Sequence, residues 1–160
     1  MSEPSAADRA AVEASLGRTP AGAFTVVVRR QSGEPAVLEN APFLDDGTPM
    51  PTRYWLVDPE LRAAVSRLES AGGVRRAEAE VDPTLVAEAH RRHAEARLAQ
   101  VGTVAGPAPS GGVGGTRTGV KCLHAHLATY LVDGTDPVGA WTAGQLAEVG
   151  IDLGAWRRDG

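Results

Sequence analysis

Two Asp-Pro steps, Asp58-Pro59 and Asp82-Pro83, constrain this chain more than anything else in it. Aspartate caps the first N–H groups of a helix, and proline is pre-set for the first helical position, so each step starts a helix and interrupts whatever precedes it. Ahead of Asp58 the pattern is extended. AFTVVVRR (Ala23 to Arg30) is a β-branched apolar run that predicts a strand, Gln31 to Glu34 predict a turn, and Pro35 to Asn40 predict the returning strand. A third strand follows at Arg53 to Val57, after a turn at Asp45-Asp46-Gly47 braced by two prolines. Behind Asp58 the spacing is helical. Leu61, Ala64, Val65 and Leu68 share a face as far as Gly72-Gly73, and a longer helix runs from Asp82-Pro83 to about Gln100.

The remaining segments fit the same division. Ser5 to Leu16 reads as an N-terminal helix stopped by Gly17. Residues 102–115 read as a loop rich in glycine and proline, outside the core. Val120 to Leu131 reads as a helix closed by Asp133-Gly134, and Thr142 to Val149 as a short last helix before an irregular tail. The order predicts an α+β fold: a small antiparallel sheet of three or so strands in the N-terminal half, packed with four to five helices. The 160 residues fit one domain, 1–160, with a core of about 23–139, the glycine-rich loop at 102–115, and a short helix and tail at 140–160.

Composition excludes several classes. A net charge of -4 argues against a nucleic-acid binder. No apolar run approaches the roughly 18 residues of a membrane span, so no membrane partner is expected. The N-terminus carries acids and lacks the basic start and apolar stretch of a secretory signal. With a single cysteine, an internal disulfide is impossible. A cytoplasmic location is the expectation.

Chemistry concentrates in GGVGGTRTGVKCLHAH (Gly111 to His126). A glycine-rich loop entering a helix exposes backbone N–H groups at the positive end of the helix dipole, which suits an anion. Gly114, Gly115, Arg117 and Lys121, the chain's one lysine, form that candidate small-anion site, for example for a phosphate-bearing ligand. The GK[ST] ending of a phosphate-binding P-loop is absent. Cys122, placed in the first helical turn beside Lys121, has the setting that lowers a thiol pKa and makes a nucleophile. The same residue also fits a packing role as a small hydrophobe.

On a regular helix His126 stands about 40° from Cys122, while His124 stands about 200° away and shares a ligand with it only if the helix is irregular. In the long helix His93 falls on the apolar side defined by Leu85, Val86, Ala89 and Ala96, with His90 and Arg97 at its margin. Helix packing would then bring Cys122, His126 and His93 into a Cys/His site for zinc or iron, although neither the spacing nor a fourth ligand matches a zinc signature. Thr48, Thr52 and Arg53 on the proline-braced turn make a second candidate wall for ligand. The alternative there is a hairpin whose turn only fixes register.

GTPMPTRYWLVDP with SRLESAGGV, and GGVGGTRTGVKCLHAHLATYL followed by DPVGAW, resemble the motifs of the domain-of-unknown-function 501 family (DUF501) over about Ala23 to Gly139. The family pattern runs roughly G-T-P-F-P-T-x-Y-Y-L-x-x-P, then K-C-L-H-x-x-x-A-H, then N-P-x-G. This chain departs at Met50, Trp55 and Asp136, and the family's second histidine falls nearer Thr129 than His126. The resemblance therefore carries over Lys121, Cys122 and His124. It implies a bacterial protein, linked to cell division or phosphate metabolism by the septum-formation and exopolyphosphatase-like genes found near such genes in actinobacteria.

Three functions follow as expectations. In the first, Arg117 and Lys121 hold a small anion, Cys122 attacks, and His124 or His93 moves the proton. In the second, the protein is a non-catalytic adaptor with a protein partner, and the K-C-L-H motif is structural. In the third, a metal stabilises the fold.

Overall fold

In the computed structural model, which describes residues 3–102, 109 and 111–158, the predicted hairpin forms from the β-branched run. Strands β1 (Phe24–Arg30) and β2 (Pro35–Asn40) pair antiparallel, with Val26 opposite Leu38 and Val28 opposite Val37 across an irregularity in register. Strand β3 (Tyr54–Leu56) adds antiparallel to the free edge of β2. Beyond the expected three strands, β4 (Trp156–Arg158) pairs with the outer edge of β1, giving the order β3-β2-β1-β4. The segment expected to be an irregular tail thus contributes an edge strand. Three residues, two of them arginine, carry too little apolar alternation to be read as one.

Among the described residues six α-helices surround this sheet, and the fold is α+β. Helix α1 (Ala6–Leu16) opens with a reciprocal capping box between Ser5 and Asp8 and closes at Gly17. Three helices start with an Asp cap followed by proline: α2 (Pro59–Ser70) at Asp58, α4 (Pro83–Val101) at Asp82 and α6 (Pro137–Glu148) at Asp136. The last of these begins five positions before the expected Thr142. Helix α3 (Gly73–Glu80) was not expected at all, because two glycines read as a stop. Gly72 does end α2 in the left-handed region, but Gly73 serves packing: a Cβ there would lie 2.6 Å from the Leu68 carbonyl oxygen. Helix α5 (Leu123–Asp133) starts three residues later than the expected Val120.

The core lies where α5 crosses the sheet. Ala36, Val37 and Leu38 are consecutive and all fully buried, so both faces of β2 are covered; α1 and α5 each contact that strand. Leu123, Leu127 and Ala128 of α5 are likewise fully buried, and each leucine contributes about 1.5–3 kcal/mol by burial. Helix α6 packs against α5 at very close range, since a Cβ on Gly139 would lie 2.3 Å from the His126 carbonyl oxygen. On α4, Val86, Ala89, His90, His93 and Arg97 are buried, while Leu85, expected inside, is 48% exposed.

Candidate functional site

Cys122 is the N-cap of α5 and not part of its first turn. Its backbone is extended (φ -152°, ψ 148°), and its Sγ accepts the Ala125 N–H at 3.5 Å. Helical angles therefore do not apply to it, and the predicted separation of Cys122 from His124 fails for that reason. The thiol turns back toward His124. Glu69, in the last turn of α2, meets both residues: its Oε2 accepts the Leu123 N–H at 2.7 Å and its Oε1 lies 3.2 Å from His124 Nδ1. One turn earlier on α2, Ser66 Oγ lies 3.3 Å from His124 Nε2. The Glu69 carboxylate, the Cys122 sulfur and a His124 nitrogen all fall within 4.8 Å of one another. The three residues are partly exposed, with Glu69 and His124 side chains 24% and 27% accessible.

This geometry changes the electrostatics expected of the helix start. The leading N–H of α5 is taken by the Glu69 carboxylate and a second by the thiol, while the Val120 N–H donates to Glu78 Oε1 at 2.9 Å. The negative charge that a helix N-terminus favours is supplied by the protein itself. Burial pushes the Cys122 thiol up from its ordinary value. The Glu69 charge adds to that, outweighing the help from the Ala125 and His124 N–H groups and Lys121. The expected lowering of this thiol is reversed. Lys121 reaches back toward the Gly114 carbonyl, 3.4 Å from its Nζ.

The other predicted residues are distributed elsewhere. Arg117 is exposed and lines two shallow cavities along α4. Gly114 is buried and Gly115 half-buried in a short 3-10 turn at Val113–Gly115. That turn is pinned by His90, whose Nδ1 accepts the Val113 N–H at 3.1 Å while its Nε2 lies 2.7 Å from the Gly119 carbonyl. This end of the glycine-rich segment, with Val113 1% exposed, belongs to the core, contrary to expectation; residues 103–108 and 110 lie outside the described residues. Thr48 is exposed beside the Asp46 turn, and the Thr52 carbonyl accepts from the Asn40 amide at 3.1 Å. Arg53 pairs with Glu39 at 2.8 Å and lies over the Tyr54 ring. Arg53 does meet one predicted residue, His93, in a cavity between β3, α4 and the end of α5.

The expected Cys122–His126–His93 metal set does not assemble. His126 is 1% exposed and bonds Asp136 through Nδ1 at 2.9 Å, with its ring edge-on to His90 at 5.6 Å. His93 instead packs edge-on against Tyr54 at 5.9 Å. Among the described residues, the group of histidine, cysteine and acidic side chains whose ligand atoms converge is Glu69, Cys122 and His124. Sequence reasoning missed Glu69 and Ser66, which sit on the polar side of an ordinary amphipathic helix with no local signal. It also missed Asp136 as the partner of His126 and as the cap of α6, although Asp136-Pro137 repeats the Asp-Pro step that starts α2 and α4.

The family model described as "Protein of unknown function (DUF501)" matches residues 26–144, and the chain belongs to that family. No curated protein and no solved structure matches it.

Proposed function

We propose that this DUF501 protein binds zinc through Cys122, His124 and Glu69, with a fourth position for water or a small ligand. The observation that carries the reading is the convergence of three different zinc-ligand types within 4.8 Å at one helix start. Around a tetrahedral zinc, neighbouring N, O and S ligand atoms stand roughly 3.3–3.6 Å apart, given bond lengths of about 2.0–2.3 Å. The 3.2 Å between Glu69 Oε1 and His124 Nδ1 is already close to such an edge. A thiolate, an imidazole and a carboxylate together favour zinc over magnesium or calcium, which prefer all-oxygen ligand sets.

The surroundings support the same reading. With a Nε2 hydrogen donated to Ser66 Oγ, the Nδ1 lone pair of His124 is directed at the carboxylate side, where a cation reconciles the two acceptors. Glu69 is steadied by the Leu123 N–H through its other oxygen. Three protein ligands and partial exposure match the open arrangement of catalytic zinc sites better than the closed four-ligand structural ones. A bound metal with an open position supplies a water acidified to a pKa of about 7. A free thiolate ligand persists in a reducing compartment, so a cytoplasmic location is part of the proposal.

Elemental analysis and cobalt substitution test it. The purified chain should hold one zinc per molecule, and the metal-free form titrated with Co²⁺ should show a near-ultraviolet thiolate-to-cobalt band. Cys122→Ser should abolish that band. A metal-free protein whose cobalt spectrum matches that of Cys122→Ser would return the K-C-L-H motif to a packing role.

A further inference from the structure

We propose that the cavity between β3, α4 and the end of α5 binds a small molecule carrying an oxyanion, a carboxylate or phosphoryl group, with His93 and Arg53 as its anchors. The cavity, of about 300 Å³, is lined by groups from all three walls: Arg53 from the β3 side, Arg92 and His93 from α4, and Asp133 and Asp136 from the segment joining α5 to α6. It shares no residue with the Glu69–Cys122–His124 cluster and does not depend on it.

The first argument is an unmet hydrogen-bonding need. His93 is 8% exposed, yet among the described residues its only polar or ring contact is the edge-on packing against Tyr54. Polar side chains this deeply placed almost always have a partner, and the His93 ring nitrogens face the cavity, where they find none among the described residues. His93 lines an open cavity, so its partner can arrive from outside. Burial, together with the charges of Arg53 and Arg97, holds the His93 pKa down at about 4. At neutral pH the ring therefore offers one donor and one acceptor.

The second argument is charge. Arg97, one helical turn beyond His93, is 1% exposed and, among the described residues, has no carboxylate in ion-pair contact: its guanidinium donates to the carbonyls of Asn40, Ala41 and Met50 and to the Gln100 side chain. This end of α4 thus carries a buried cation on which Glu39 acts only at longer range than an ion pair. Arg53 binds Glu39 through Nε, and among the described residues its terminal amino groups meet no acceptor and can take another. On the opposite wall Asp136 is engaged by His126 and the Gly139 N–H, while Asp133 accepts the Thr135 N–H and keeps its charge. Arg92 pairs with Glu88 at 3.3 Å, which leaves Arg53 and His93 as the anchors for an anion. An entering oxyanion therefore meets guanidinium groups and a neutral N–H on one side, an arrangement suited to charge-assisted bonds. On the other side it meets oxygen acceptors that fit a ligand hydroxyl or amine. A cavity of this volume lies at the small end of ligand sites, which sets the size class.

Calorimetric titration of the full chain with inorganic phosphate, glycerol 3-phosphate and L-serine tests the proposal and separates phosphoryl from carboxylate ligands. At least one should bind saturably, weakening with added sodium chloride. His93→Gln and Arg53→Gln should each weaken that binding about tenfold or more. Arg92→Ala, at the exposed rim, should weaken it by a smaller factor and guards against misfolding of the other two. Cys122→Ser should bind as the parent does. No saturable binding of any of the three probes, or wild-type affinity in both His93→Gln and Arg92→Ala, would overturn it.

Discussion

His124 and His126 stand two positions apart on one helix and live in opposite environments. His126 is sealed, 1% exposed, bound to the equally buried carboxylate of Asp136, with its Nε2 left without a partner among the described residues. His124 is on the surface side, between Ser66 and Glu69, within reach of solvent and of Cys122. The difference comes from helical geometry: a step of two residues turns about 200°, so one face of α5 meets α6 and the other meets α2. The same residue type serves the interior in one place and is available for chemistry in the other. A buried hydrogen-bond partner is costly to lose, whereas a partly exposed one is worth little to stability.

Urea unfolding provides the sharpest way to break this comparison. Asp136→Ala removes both the partner of His126 and the cap of α6, and should cost about 3–4 kcal/mol. Glu69→Ala at the other histidine should cost about 1 kcal/mol, and equal losses would erase the distinction. Next in size is the pH dependence of stability. The unfolded chain protonates histidine near 6.5 while folded His93 protonates only at about 4, so acidification favours the unfolded state across that window. Stability present above pH 6.5 should fall by about 3 kcal/mol by pH 4, and His93→Gln should flatten this part of the profile. The smallest effect is expected at Cys122→Ser. Serine is itself a favourable N-cap, so the metal-free protein should keep its stability within about 0.5 kcal/mol while losing the cobalt band.

What could be read from the sequence followed local chemistry. The β-branched run at Phe24–Arg30, the Asp-Pro starts of α2 and α4, and Gly17 as a stop each act through neighbours a few residues away, and each was legible. Helix α3 was not, because the demand for glycine at position 73 comes from the Leu68 carbonyl and not from a turn. Neither was the cap role of Cys122, since thiols are weak acceptors and rarely announce a helix start. The candidate site was half legible. The K-C-L-H cluster marked Cys122 and His124, but Glu69 lies more than fifty positions earlier, and only the packing of α2 against α5 brings it there. The convergence expected of Cys122, His126 and His93 rested on a helical angle that an N-cap residue does not obey.

Trp156 closes the sheet by donating its indole N–H to Asp58, the cap of α2, at 2.8 Å across 98 positions of sequence. Contacts of such long range form late, because the intervening chain must first be brought together. Asp58 has Arg30 and the Leu61 N–H as partners closer in sequence, whereas Trp156 follows all six described helices. The cap of α2 is thereby also the anchor of the last strand: one carboxylate ties the start of a helix, the end of β1 and the edge strand β4 together.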